Sequence, residues 1–155
     1  MLKSISIGIR KSLFSVEPSA IKDVQQKLLD LTSSAGYFGI FAIFDYKGFP
    51  NVGYEWNEFL LQTIIESYDT GYRLLEPTIK DRRYLRGIIV PQGADCDSYE
   101  DFIILQMKKD GLSSIEKESF SGYLRRKGLV LTATIPIELY EGDGLRLEGN
   151  RFVFG

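Results

Sequence analysis

Residues 84–111 read YLRGIIVPQGADCDSYEDFIILQMKKDG, and this stretch joins a strand signal to a helix signal. The apolar run at residues 88–90 is closed by Pro91, which favours a buried strand over a short buried helix. Ser98 then stands at the spacing of a helix N-cap, with an acidic residue three positions later. The apolar periodicity that follows ends at Gly111, so the stretch predicts a strand and then a helix.

The same two periodicities continue on both sides of this stretch. Apolar residues spaced three and four apart predict a helix that starts at Pro18 and ends at residues 33–36, and a strongly amphipathic helix within residues 56–68. A second capping signature at residues 113–116 predicts a weaker helix that ends at Gly128. Alternation, or aromatic and β-branched content, predicts strands at residues 4–10, 37–44, 129–140, 145–148 and 151–154.

The order of these elements determines the predicted fold class. A chain of 155 residues with 44% hydrophobic residues can bury a core without disulfides or a metal. Strands alternate with helices and are followed by a final group of strands, which predicts an α+β protein with a single domain over residues 1–155. We expect a mixed β-sheet, three to four helices, and a C-terminal β-hairpin that turns at residues 149–150.

The composition excludes several kinds of active site. Histidine is absent and Cys96 is the single cysteine, which excludes zinc sites and both Cys/His and Ser/His/Asp catalysis. We expect Cys96 to be inert, because the neighbouring carboxylates raise the pKa of a thiol. Residues 142–144 lack the pattern of a phosphate-binding loop and predict a tight turn. We therefore predict no catalytic residue, no metal and no cofactor; catalysis by a lysine or by paired carboxylates such as Asp45 and Glu55 is the alternative.

Charge and hydropathy bear on location and partners. The formal net charge of −2 gives no positive field over the whole protein, although a local basic face remains compatible with it. The alternating start of the chain does not resemble a signal peptide, and the apolar run at residues 40–44 is too short to span a membrane. These features predict a cytoplasmic protein without a membrane partner. The oligomeric state is left open.

Two basic groups are the candidate contacts for nucleic acid. Guanidinium groups bind phosphate oxygens in a bidentate way, and a tyrosine can stack on an unpaired base. A solvated surface, with cations that complement the helix dipole, is the plainer interpretation. The predicted contacts are Lys80, Arg82, Arg83, Tyr84, Arg86, Arg125, Arg126 and Lys127.

An acidic cluster and an aromatic cluster are the candidate contacts for a protein partner. Acidic residues can mimic phosphate or fill a basic active site. The same four carboxylates could instead bind a hard cation through oxygen ligands, although acidic residues also suit the first turn of a helix. Aromatic residues around the turn near residue 50 can anchor a partner or form a small core under the loop. We expect Phe38, Phe41 and Phe44 in the core. The predicted partner-binding residues are Tyr46, Phe49, Tyr54, Trp56, Asp95, Asp97, Glu100 and Asp101.

One segment resembles a known family. Residues 78–91 read TIKDRRYLRGIIVP and are followed by DSYEDF at residues 97–102 and LQMKK at residues 105–109. This basic run followed by an acid-capped helix resembles the central part of small phage recombination proteins of the NinB-like type, over residues 78–127. The segment departs from that family at Asp81 and Arg82, which replace a Gln-Asn pair, and it lacks the family's helix histidine. The resemblance implies association with single-stranded DNA, through Lys80, Arg82, Arg83, Tyr84 and Arg86.

Two functional hypotheses follow from the sequence. The first is a non-catalytic binding protein of a phage or mobile element that associates with nucleic acid through the basic segment at residues 80–86, aided by residues 125–127. The alternative is a protein-binding inhibitor, such as an immunity or anti-defence protein, whose partner is a host protein or a toxin. Convergence of the two basic groups on one face favours the first hypothesis, and a stoichiometric protein complex without nucleic acid favours the second.

Overall fold

The computed structural model describes residues 3–4, 15–77, 87–132, 134–140 and 142–154. These residues form helices and short strands, so the chain belongs to the α+β class, as predicted. No helix among them is both long and apolar enough to cross a membrane. The helices are Pro18–Thr32 (α1), Glu58–Ser67 (α2), Tyr99–Lys109 (α3) and Lys117–Arg126 (α4). The strands are Lys3–Ser4 (β1), Phe38–Gly39 (β2), Tyr54–Glu55 (β3), Tyr72–Leu75 (β4), Ile88–Pro91 (β5), Ser114–Glu116 (β6), Leu145–Glu148 (β7) and Arg151–Phe154 (β8).

The described strands lie in three small sheets instead of one mixed sheet. β1 and β3 form a parallel pair. β5 lies between β2 and β4 in an antiparallel sheet, and β8 lies between β6 and β7 in another. The strand predicted at residues 4–10 lies outside the described residues, except for its first residue in β1.

The central strand β5 separates two hydrophobic cores. Ile88 and Val90 join the core that α3, α4 and the C-terminal sheet share, whereas Ile89 joins the core of α1 and α2. All three side chains are fully buried, because successive residues of a strand point to opposite faces and both faces are covered. This two-sided burial explains the unbroken apolar run, and the predicted strand is confirmed.

Two elements with strong local signals form as predicted. The Ser98 hydroxyl accepts the N–H of Asp101 at 3.1 Å, and the helix that it caps ends just before Gly111. The C-terminal hairpin joins β7 to β8 through a turn at Gly149, whose φ of 61° suits glycine. Both signals depend on neighbours in sequence, so they hold independently of the rest of the fold.

The helix start predicted at residues 113–116 is wrong. Ser114–Glu116 is a strand, and Ile115 pairs with Phe152 of β8. α4 begins at Lys117, whose N–H donates to the carbonyl of Asn150 at 2.9 Å. Pairing with a distant strand and burial of Ile115 outweigh the local capping preference.

The strand predicted at residues 37–44 is limited to Phe38–Gly39. The chain then enters a turn of 3₁₀ helix, and the Phe41 ring folds back over Gly39, where a Cβ atom would overlap it. Phe41 is 6% exposed and Phe44 is 81% exposed. The expectation that Phe44 belongs to the core is therefore wrong, because the chain leaves the sheet before it reaches that residue.

The strand predicted at residues 129–140 does not form in the described part of that segment, residues 129–132 and 134–140. Several of its backbone groups are paired locally: the N–H of Leu129 donates to Leu124, and the N–H of Tyr140 donates to Ile137. Leu129 is fully buried. The segment is apolar because it covers the core, and apolar content alone does not distinguish such a loop from a strand.

Candidate functional site

The two predicted basic groups differ in what the structure describes. Lys80, Arg82, Arg83, Tyr84 and Arg86 lie outside the described residues. The second basic group lies at the end of α4, where Arg125 and Arg126 occupy the last turn and Lys127 is the C-cap. The structure therefore describes three of the predicted nucleic-acid contacts, Arg125, Arg126 and Lys127.

Arg125 and Arg126 are exposed, and their side chains make no ion pair with any other described residue. Arg126 passes close to Gly122, with Nη1 3.3 Å from the position that a Cβ atom would take there. Phe120 and Leu124 bury the opposite side of the helix. The amphipathic pattern of α4 therefore directs both guanidinium groups to solvent.

Lys127 has a different environment from the two arginines. Its Nζ lies 3.1 Å from Oδ2 of Asp110. Its carbonyl accepts the hydroxyl of Tyr37 at 2.6 Å. Tyr123 donates to the same Asp110 carboxylate at 2.7 Å, and this hydrogen bond is the main reason that the pKa of Asp110 is lowered, with Lys127 adding to it. Lys127 thus joins the end of α4 to the end of α3.

The acidic cluster contains three exposed carboxylates and a fourth that packs against a turn. Asp95, Asp97 and Asp101 are exposed and line a groove of about 260 Å³, together with Cys96 and Lys108. No group of three or more potential metal ligands occurs among the residues that the structure describes. The exposed carboxylates form an acidic surface on one side of α3.

Glu100, the remaining member of the acidic cluster, contacts the interior of the protein. Its Oε1 accepts the N–H of Gly144 at 3.2 Å. The carboxylate fits against the turn because Gly142 has no Cβ atom, which would overlap it. The predicted tight turn at residues 142–144 therefore receives the side chain of Glu100.

Arg73 is a residue that the sequence analysis missed. It lies in β4, and its Nη2 donates to the carbonyls of Ala94 and Cys96, both at 2.6 Å, while Nε donates to Gln92 at 3.3 Å. One guanidinium group thus binds most of the loop between β5 and α3. Nothing in the local sequence of Arg73 indicates these partners, which follow it by 19 to 23 residues.

Cys96 lies in this loop with its side chain 7% exposed. Burial is the main reason that the pKa of its thiol is raised, and Asp101 and Asp97 raise it further, while Arg73 opposes them. Proximity of carboxylates was the expected cause, but removal of the thiol from water has the larger effect. A raised pKa keeps the thiol protonated and weakly nucleophilic.

The aromatic cluster near residue 50 is a small core. Tyr46 stacks on Trp56 with 5.8 Å between ring centroids, and Phe49 lies 4.9 Å from Trp56. The indole N–H donates to the carbonyl of Pro50 at 2.7 Å. Tyr54 also packs against the core that α1 and α2 share. These rings are partly buried, so Phe44 is the exposed aromatic residue of this region.

The Tyr46 hydroxyl is buried without a hydrogen-bond partner among the described residues. Burial raises the pKa of this phenol, and the nearby Glu58 carboxylate raises it further. A buried unpaired hydroxyl is unfavourable by about 1–3 kcal/mol unless water reaches it. The hydroxyl faces the protein interior, so it offers no surface for a partner.

A second groove, of about 480 Å³, was not predicted. It lies between the start of α4, the segment at residues 134–140 and the turn of the C-terminal hairpin. Its size is within the range of ligand-binding clefts. Lys117, Ser121 and Arg125 are each four residues apart in the sequence, and this spacing predicts that they lie on one side of a helix. The described lining residues are Lys117, Glu118, Ser121, Thr134, Ile135, Tyr140 and Asn150.

Comparisons with known proteins add no relative. No protein-family model matches the chain, and neither the curated proteins nor the solved structures contain a match.

Proposed function

We propose that this chain is a non-catalytic binding protein that associates with nucleic acid, specifically with single-stranded DNA. The observation that carries the proposal is the pair of exposed arginines, Arg125 and Arg126, side by side on the solvent face of α4 without ion-pair partners among the described residues. The resemblance of residues 78–127 to NinB-like phage proteins supports single-stranded DNA as the ligand. The same resemblance would assign the protein to a phage or mobile element.

Phosphate contacts would supply most of the affinity. Arginine presents a rigid fork of donors to phosphate oxygens, and each neutralised phosphate releases a counterion. Binding should therefore weaken steeply as salt rises. The basic residues at 80–86 would add further contacts, on the basis of their sequence. The plainer role of Arg125 and Arg126, as partners of the negative end of the α4 dipole, predicts no such affinity.

Fluorescence anisotropy with a labelled oligonucleotide at several salt concentrations tests this proposal. We expect affinity to fall at least tenfold between 50 and 200 mM salt, and the variant R125E/R126E to bind at least about tenfold more weakly. K22E/K47E is the matched control, because it makes the same change in net charge at exposed lysines elsewhere. Absence of binding at low salt would exclude the proposal.

The basic segment is tested in the same assay. The variant K80E/R82E/R83E/R86E should lose binding while its circular dichroism spectrum stays unchanged. Wild-type affinity in this variant would remove residues 80–86 from the contact. The arginines of α4 would then carry the interaction alone.

A protein-binding inhibitor is the second candidate, and the exposure of Phe44 favours it. An aromatic residue that is 81% exposed, two positions before the aromatic cluster in the sequence, has the properties of an interface anchor. The exposed carboxylates Asp95, Asp97 and Asp101 would suit a basic partner. A single stoichiometric protein partner that binds wild type and not Phe44→Ser, in the absence of nucleic acid, would favour this candidate over the first.

A further inference from the structure

The groove at the start of α4 combines an aromatic ring, a cation and hydrogen-bonding groups. The Tyr140 ring forms part of its wall, and the Lys117 ammonium group lies 5.9 Å from the centre of that ring. Phe152 supports the ring from the core at a centroid distance of 5.2 Å, in an edge-to-face arrangement. Tyr140 is thus held in place by the core while it remains partly exposed.

On α4 the groove is lined by Lys117, Glu118 and Ser121, and Arg125 lies about one helical turn beyond Ser121. Lys117, Ser121 and Arg125 follow one another at four-residue intervals, so they form a line of about 12 Å along the helix. Ser121 is half-buried and has a short side chain, which allows a ligand backbone to approach the helix at that point, whereas the Arg126 guanidinium lies close to Gly122. The exposed charges of α4 are those of Lys117, Glu118, Arg125 and Arg126, and they sum to a positive face.

We infer that this groove and the exposed face of α4 form one binding path for a single nucleic-acid strand, with Tyr140 as the stacking platform for a base. Lys117, Arg125 and Arg126 contact the phosphates along that path. Stacking on tyrosine suits every base, because each base has a π-face, whereas a cation line suits the repeated charge of the backbone. The inference rests on the proposed function, and it adds the path of the strand and the residue that receives a base.

The polar residues of the groove fit the edge of a base. Asn150 donates to the Glu118 carboxylate at 3.0 Å, and both residues line the groove beside Tyr140. A carboxylate accepts hydrogen bonds from exocyclic amino groups, and an amide can both donate and accept. Glu118, the anionic residue among the described lining residues, therefore meets the edge of the base, while the Lys117 ammonium, beside the Tyr140 ring, lies where a stacked base and its phosphate meet.

The test compares oligonucleotides with and without bases. Wild-type protein should bind an oligothymidylate more tightly than an oligonucleotide of the same length made of abasic sites, by roughly 5- to 150-fold. Tyr140→Leu keeps an apolar side chain but removes the aromatic ring and should abolish this preference, while Tyr140→Phe should retain it. Lys117→Glu should weaken binding to both oligonucleotides, because Lys117 contacts the backbone that both of them carry.

The outcomes separate this inference from the proposed function. If wild type binds both oligonucleotides equally, with normal salt dependence, no base is stacked and the inference fails while nucleic-acid binding stands. If Tyr140→Leu keeps the full preference, stacking occurs elsewhere and the path is wrong. If wild type binds neither oligonucleotide, the proposed function fails together with the inference. The wild-type comparison can still overturn the inference if a Tyr140 variant fails to fold.

Discussion

Glu100 and Gly144 are joined by a hydrogen bond of 3.2 Å from the glycine N–H to Oε1 of the glutamate. The contact connects the first turn of α3 to the turn that precedes β7, although 44 residues separate the two positions. It depends on Gly142, which allows the carboxylate to lie against the backbone of the turn. Glu100, which the sequence predicted to bind a partner, therefore contacts the turn that precedes the C-terminal hairpin.

Gly142→Ala should destabilise the protein by about 1–3 kcal/mol, because the new methyl group overlaps the Glu100 carboxylate and lies 2.8 Å from the carbonyl of Leu145. Gly93→Ala is the matched control, since no described atom lies within 4 Å of its Cβ position, and it should be neutral within about 0.5 kcal/mol. Urea denaturation measures both. In a double-mutant cycle, E100A should relieve part of the cost of G142A; strict additivity would mean that the two residues are not in contact.

Arg73→Ala should destabilise the protein by about 1–3 kcal/mol, because the carbonyls of Ala94 and Cys96 lose a charged donor at 2.6 Å. The loop should also open more often, so the Cys96 thiol should react faster with a disulfide reagent under native conditions. Arg146→Ala removes an exposed ion pair with Glu148 and should cost at most about 1 kcal/mol without changing thiol reactivity. Equal thiol rates in wild type and Arg73→Ala would contradict the role of Arg73.

The pKa of Asp110 is lowered in the folded protein, chiefly by the hydrogen bond from Tyr123 and then by Lys127. A group with a lowered folded pKa stabilises the protein above its unfolded pKa, near 4, and this contribution is lost as the pH falls through the folded pKa. The stability of Asp110→Asn should therefore decline less than that of wild type between pH 5 and pH 2.

Chemical denaturation at several pH values measures this effect, and a carboxyl NMR titration measures the pKa directly. Tyr123→Phe is the companion variant, since it removes the main hydrogen-bond donor and should shift the pKa of Asp110 upward. An Asp110 carboxyl in wild type that titrates at the ordinary value would contradict the prediction.

Phe41→Ala should destabilise the protein by about 3–5 kcal/mol, because its ring is 6% exposed and packs in the core. Phe44→Ser should change stability by less than about 0.5 kcal/mol, because the ring is 81% exposed. Thermal and urea denaturation of the two variants measures both effects. Phe41 and Phe44 are three residues apart and are successive members of one aromatic pattern, so the pair makes a matched comparison. A large loss in Phe44→Ser would place that ring in the core after all.

Sequence reasoning succeeded where the signal was local. The helices within residues 18–32, 58–67 and 99–109 follow from apolar spacing, and the hairpin follows from its glycine turn. It failed at residues 113–116, where a capping pattern forms a strand, and at residues 129–140, where an apolar segment covers the core as a loop. The first outcome depends on pairing with the distant strand β8, and the second on the core that the segment covers.

In the candidate site, too, features set by neighbouring residues could be predicted, and contacts between distant residues could not. Exposure of Arg125 and Arg126 could be foreseen, because the apolar residues of α4 define which side of the helix is buried. The pairing of Lys127 with Asp110 could not, because β6 and α4 lie between these two residues, which are 17 positions apart. The groove at Tyr140 also lay beyond prediction, since three separated segments form its walls.

The sequence by itself determined the class of the protein, its helices and its terminal hairpin, because backbone propensity and apolar period act over a few neighbouring residues. The tertiary structure alone decided which aromatic ring faces water, which carboxylate turns inward to Gly144, and where Arg73 finds its carbonyls. The contacts of Arg73 and Glu100 join residues 19 to 44 positions apart, and they form once the chain has closed around its two cores.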